Sequence, residues 1–204
     1  MQGQRGEIRE NVLKRFLWLY GLHSLLHMIS FLAGYYLLPE GFMRGSPQFA
    51  VGSLTASANS FWEEFALTLL FNLGVVFSIC ALSNLQRMYG MPAGYFVNVL
   101  LAVTSGLVSG TNSFAASDLR QFNALDGAAL GMSIGGIEMT AYVLAISATA
   151  GIGIYDYTLR EWKGIKIKNW REIRLSGTEI FCLCLGVLLL VVAAYRETVM
   201  ALNV

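Results

Sequence analysis

Charge is scarce in this chain. Only 13% of its 204 residues are Asp, Glu, Lys or Arg, against 55% hydrophobic residues and a mean hydropathy of +0.56, whereas a soluble domain carries about a quarter charged residues. That shortage excludes an ordinary soluble fold and predicts an integral membrane protein in contact with the lipid bilayer. The formal net charge is +1 and no basic region of domain size exists, which argues against nucleic acid as a partner. Cysteine is scarce too. Cys80, Cys182 and Cys184 all fall within apolar runs, where they act as small apolar residues rather than as a disulfide framework. No nucleophile paired with a base, phosphate-cradling glycine loop or ATP-binding motif occurs. The stretch Gly151-Ile152-Gly153-Ile154 has neither the preceding strand nor the following helix of a dinucleotide site. A non-enzymatic protein without a cofactor is the expectation. The first apolar run lacks a small-residue cleavage pattern and is expected to stay attached. No internal repeat indicates a pseudosymmetric transporter.

What the chain has in quantity is long apolar runs. They predict an all-α, polytopic bundle of five transmembrane helices at about 16–38, 62–85, 93–110, 127–155 and 178–200. Residues 1–15 place Ile8, Val12, Leu13 and Phe16 at helical spacing against Arg5, Arg9, Lys14 and Arg15, the pattern of an amphipathic helix on a membrane surface that runs into the first span. Pro39 ends that span. Residues 41–61 form a polar link with a faint amphipathic piece near 49–54, and Trp62-Glu63-Glu64 suits a helix N-terminus, where carboxylates oppose the helix dipole. A short turn is expected at 86–92. Polar links follow at 111–126 and, rich in basic residues with Trp162 and Trp170 at headgroup depth, at 156–177. That basic link is expected to touch anionic lipid.

Orientation follows from the basic residues. With five spans, one side receives Arg5, Arg9, Lys14, Arg15, Arg87, Arg160, Lys163, Lys166, Lys168, Arg171 and Arg174; the other receives Arg44, Arg120 and Arg196. Lys- and Arg-rich short loops stay cytoplasmic, so the N-terminus is expected inside and the C-terminus outside, in a multi-pass cell-membrane protein.

The candidate site centres on Glu138. It sits within the fourth apolar run, and an acid at that depth must be neutralised, paired or turned toward a protein-lined interior. Gly127, Gly131 and Gly135 precede it at four-residue spacing, leaving one helix face nearly bare for close packing. On the first span Tyr20, His23, His27, Ser30 and Gly34 share a face; Thr68 and Asn72 do so on the second, and Gly94, Asn98, Ala102, Ser105 and Ser109 on the third. His23, His27, Asn72, Asn98 and Glu138 thus form the expected intramembrane polar cluster. His23 and His27 could hold a metal with Glu138 as third ligand, or each could hydrogen-bond a neighbouring helix. With no further His or Cys at ligand spacing, the second reading is preferred. Glu138 is expected to tie to Asn72, Asn98 or His27, or to relay protons. Glu197, beside Arg196, suits an outer-rim hydrogen bond, and Glu179, Gly186, Ala193 and Glu197 share one face of the last span.

Phe71-Asn72-Leu73, the glycine-bearing run 94–110, Gly135 with Glu138 and the Ala-rich run to Gly151, and Ala193-Ala194-Tyr195-Arg196-Glu197 occur in this order over most of the chain. In that order they resemble the stage II sporulation protein M family of prokaryotic membrane proteins. Where the family has Pro-His-Gly ahead of the glutamate, this chain has Ser133-Ile134-Gly135. The resemblance implies a multi-span, non-enzymatic scaffold or assembly subunit that works with other membrane subunits or as a homo-oligomer. Two other classes stand beside it: a small transporter or channel coupling proton or metal movement through Glu138 and His23/His27, and an accessory subunit of a larger membrane enzyme.

Overall fold

The computed structural model describes residues 11–114, 124–157 and 163–202, with the backbone alone for 124–134 and 200–202. Helix α1 (Val12–Leu37) starts at Asn11, whose side chain accepts from the Leu13 N–H at 3.1 Å. Residues 12–15 are thus continuous with the first span, into which the amphipathic segment is expected to run; residues 1–10 lie outside the described residues. Arg15 is buried and bonded to Glu179 at 3.1 Å. Beyond Pro39 the link folds into a 3-10 turn (Phe42–Gly45) and a short helix α2 (Pro47–Ala56), with Ser46 as N-cap and Pro47 in the first turn.

Helix α3 (Phe61–Leu69) opens with a reciprocal cap: Ser60 accepts from Glu63 N–H at 3.3 Å and Glu63 accepts from Asn59 N–H at 3.0 Å. It runs through a π-helical segment (Leu70–Phe77) into α4 (Ser78–Leu82) and a final tight turn, Ser83–Leu85. Along this rod Glu64, Thr68, Phe77, Cys80 and Asn84 are buried. With Asn72 between the second and third, the inward row advances by four residues, then by five across the π segment, then by three and four. The wider π turn admits one extra residue, so the inward face stays aligned on both sides of it.

The expected turn at 86–92 is a β-hairpin, β1 (Gln86–Met88) and β2 (Met91–Pro92), closed by Tyr89 and Gly90 at φ 53 and 76. Two positive φ values are what a two-residue hairpin turn needs. Helices α5 (Gly94–Gly110) and α6 (Ala124–Thr149) follow. α6 stops at Thr149 rather than at 155, because Gly151 and Gly153 separate β-branched residues that lead into strand β3 (Tyr155–Tyr157). The basic link is also structured, with strand β4 (Gly164–Lys166) and a 3-10 turn (Trp170–Glu172) ahead of α7 (Gly177–Leu202). Hydrogen bonds from the Asn169 side chain and backbone hold the exposed Glu172 carboxyl below the usual carboxylate range. The strands form one sheet in the order β2-β1-β3-β4, with β1 and β3 parallel and the outer pairs antiparallel. It gathers the end of α4, the start of α5, the end of α6 and the approach to α7 at one end of the bundle. At the opposite end Gly41 N–H donates to Thr111 O at 2.6 Å, and Asn112 Nδ2 donates to Glu40 Oε1 at 2.7 Å.

Helix α6 is the axis: residues 141–150 are all buried, as expected of a helix that is apolar all round. The closest backbone approach lies between the parallel helices α1 and α5. A Cβ on Gly106 would overlap the His27 carbonyl oxygen, and one on Gly110 the Phe31 carbonyl oxygen. At Gly135, expected to be such a contact, nothing among the described residues lies within 4 Å of the Cβ position. The surroundings of Gly127 and Gly131 fall outside the description. Close packing thus rests on the α5 glycines, whose spacing meets another helix, whereas Gly135 faces away from any described neighbour.

Polarity is distributed the opposite way from a soluble protein. Leu13, Leu17, Trp18, Leu25, Ile29 and Leu37 of α1 are exposed while His23, Ser30 and Gly34 are buried. Helices Val12–Leu37, Phe61–Leu85 and Gly177–Val199 are long and apolar enough to cross a membrane, and α5 is a shorter apolar helix. The protein is therefore mostly helical, with membrane-spanning capacity and an apolar surface suited to lipid. Gly106→Val is expected to lower stability in detergent by about 3 kcal/mol, because it overpacks a backbone contact. Gly135→Ala should be neutral or stabilising by about 0.5 kcal/mol through helix propensity. Thermal unfolding followed by circular dichroism checks both, and equal losses would contradict the packing assignment.

Candidate functional site

The expected single polar cluster is divided between two seams. On the α1–α5 seam, the one held close by Gly106 and Gly110, His23 Nδ1 lies 2.8 Å from Asn98 Oδ1, and Asn98 Nδ2 donates to Leu19 O at 3.1 Å. One turn further, His27 Nδ1 lies 2.9 Å from Ser105 Oγ. Each imidazole has taken a partner on the facing helix, as the preferred reading of the pair expects. The carboxamide of Asn98 fits because it accepts from one group and donates to another while fully buried.

Glu138 belongs to the second seam. Asn72, carried on the π segment, donates through Nδ2 to Glu138 Oε1. Of the three partners expected for this acid, Asn72 is the one it meets; Asn98 is committed to His23 and Leu19. The five-residue step just beyond Asn72 keeps that side chain on the inward row without displacing Phe77 and Cys80 from the core. Among the described residues no group of three His, Cys, Asp or Glu could hold a metal ion. The His23, His27, Glu138 ligand set is therefore corrected: the histidines are spent on α5, and the acid faces α3 instead of α1. The three cysteines are free thiols, with Cys80 buried and Cys184 exposed.

A further polar tie was not anticipated. Asn84 is fully buried; its Nδ2 donates to Ile146 O and Thr149 Oγ1, both at 2.8 Å, and its Oδ1 accepts from Gly94 N–H at 2.9 Å. One side chain thus fastens α4, the end of α6 and the start of α5 above the sheet. It also occupies the space a Cβ on Gly94 would need. Its sequence signal was its place in the inward row with Cys80 and Phe77. Glu64 was also missed as an interior group. The sequence assigns both Glu63 and Glu64 to the helix start, but only Glu63 caps, whereas Glu64 is buried on the row of Thr68 and Asn72. Glu179, expected to share a face with Gly186, Ala193 and Glu197, caps α7 through Ser176 and pairs with Arg15. Gly186 packs on Phe77 and the Ala141 carbonyl.

The arrangement defines a class, a helical membrane protein whose interior polar groups join helices in pairs. Beyond the class, no family model, curated protein or solved structure matches this chain. Asn84→Ala strips three buried bonds and leaves a backbone donor unpaired, so it is expected to cost about 2 kcal/mol or more. Thr104→Ala, which removes only the bonds of the hydroxyl to the Leu100 and Leu101 carbonyls of its own helix, should leave the transition unchanged. Differential scanning fluorimetry of both variants against the parent tests the assignment.

Proposed function

We propose that the chain is a five-span protein of the cell membrane, with its N-terminus inside and its C-terminus outside, that serves as a non-enzymatic scaffold or assembly subunit of the kind its resemblance to stage II sporulation protein M implies. The observation that carries this reading is the use to which the interior polar side chains are put. His23, His27, Asn84 and Asn98 are each spent on a bond between helices, which supports a structural role over a chemical one. The five-span count is supported by lengths. α5 has 17 residues and α6 has 26, or about 25 and 39 Å at 1.5 Å per residue, against a hydrocarbon core of about 30 Å. The orientation is supported by the sheet end, which gathers Arg87, Lys166, Lys168, Arg171 and Arg174. Ile165 and Trp170 are exposed there too, in keeping with a surface resting on anionic headgroups and open to a protein partner.

Two measurements test the proposal. In a variant with Cys80, Cys182 and Cys184 replaced by Ala, a cysteine at Lys166 is expected to react with an impermeant maleimide only from the cytoplasmic side, and one at Asn59 only from outside. Labelling of both from one side removes the five-span orientation. Purification in mild detergent followed by native mass spectrometry is expected to show a stoichiometric membrane subunit or a homo-oligomer, retained in Glu138→Gln. A monomer under every mild condition removes the scaffold reading.

A further inference from the structure

Arg87 is the middle residue of β1, and its side chain is buried while Gln86 before it is exposed. It is 8% exposed and lies across Gly153: a Cβ there would stand 2.7 Å from Nε and 3.0 Å from Cδ. The bare glycine leaves the room that the side chain fills. Nε is sealed from solvent and meets no hydrogen-bond partner. No described residue offers the terminal nitrogens an acceptor or an ion pair either, but these are not sealed. The fork of Nη1 and Nη2 is therefore the part of this cation that reaches the outside.

A second cation stands on the same stretch of backbone. Lys168 Nζ donates to Gly151 O at 2.8 Å, two residues before Gly153, which occupies one of its three N–H donors. The acids that adjoin this stretch are engaged elsewhere. Asp156, the register partner of Arg87 on β3, accepts through Oδ1 from the Gly90 N–H at 3.1 Å and so braces the hairpin. Glu179, 4.0 Å from the Cβ position of Gly151, pairs with Arg15 and caps α7 through Ser176. A cation withdrawn from water needs an anion. The place decides which kind. The α4 rod and α6 end here and α1 and α7 begin, so for a membrane-spanning bundle the site lies at headgroup depth. Leu82 at the end of α4 and Ile180 and Phe181 early in α7 are exposed beside it, an apolar flank suited to acyl chains. A guanidinium fork matches two phosphate oxygens at once, and basic pockets between helix ends take up phospholipid headgroups.

We propose that Arg87, with Lys168 beside it, is a discrete binding site for the phosphate of an anionic phospholipid. The guanidinium fork holds the headgroup at the sheet end, and the acyl chains lie along α4 and α7. Free phosphate shares the oxyanion chemistry, but the apolar flank favours the lipid. This deepens the reading of the sheet end as a surface on anionic headgroups, replacing a diffuse attraction by one seat. It rests on that end lying at the headgroups, and on neither the orientation of the chain nor its scaffold role.

The test is lipid retention. The full chain, delipidated in detergent, is incubated with dioleoylphosphatidylglycerol or dioleoylphosphatidylcholine and passed through gel filtration, and the lipid kept per chain is measured by mass spectrometry. The parent is expected to keep phosphatidylglycerol in preference to phosphatidylcholine, and Arg87→Gln to weaken that retention by about tenfold or more. Arg171→Gln, on the exposed 3-10 turn, should weaken it by less than about twofold, as a surface charge does. Gly153→Ala alters no charge but takes the space of the Arg87 stem, and a several-fold loss is expected there as well. Equal retention of the two lipids overturns the anion preference, and full retention in Arg87→Gln overturns the site. Equal losses in Arg87→Gln and Arg171→Gln leave only a diffuse attraction and overturn it too. Millimolar inorganic phosphate should leave the lipid in place; displacement makes free phosphate the occupant and overturns the lipid. Should Arg87→Gln fail to fold, the contrast between Gly153→Ala and Arg171→Gln decides the same question. The maleimide orientation and the subunit stoichiometry can each fail with lipid retention intact, so the failures are told apart.

Discussion

Inside hydrocarbon a polar group finds a partner in the protein or nowhere, and that constraint accounts for most of this structure. Asn84, Asn98 and Asn72 each reach from one helix to another, and each does so where the receiving helix offers a carbonyl, an imidazole or a carboxylate. Such ties need backbones close together. On the α1–α5 seam the approach is made by Gly106 and Gly110, whose missing side chains let the His27 and Phe31 carbonyls come near. Apolar side chains are free to face outward because lipid is as apolar as the core, so the interior is defined by small and polar residues more than by bulk hydrophobicity.

The two seams have different characters. Between α1 and α5, His23, His27 and Asn98 each meet a neutral partner. Between α3 and α6 an amide meets an acid, Asn72 with Glu138. Both sit around α6, whose buried half runs into the sheet end through the Asn84 tie.

Much of this was legible beforehand. Composition announced a membrane protein, and apolar runs located the helices to within a few residues at most ends. The shared face of His23, His27, Ser30 and Gly34 followed from spacing alone, and so did the inward position of Asn98, Ala102 and Ser109. What was not legible had specific causes. The hairpin at 86–92 and strands β3 and β4 are two or three residues long, too short for an alternating pattern, and they exist only because separate links meet at one end of the bundle. The π step beyond Asn72 has no compositional mark, since Gly74 and β-branched neighbours occur equally in straight helices. Glu64 beside Glu63 could not be told from a second capping acid by sequence, because only the facing helix distinguishes the two.

The sequence by itself determined that the chain must leave water, how long its helices are and which side of several of them turns inward. These follow from local periodicity and from the cost of charge in lipid, both of which act within one segment. Which polar face meets which was decided by the tertiary structure, because partner choice depends on helix order and crossing. Glu138 joined Asn72 and not a histidine for that reason: α3 through its π segment reaches α6 at the level of the acid, while α5 had already claimed α1.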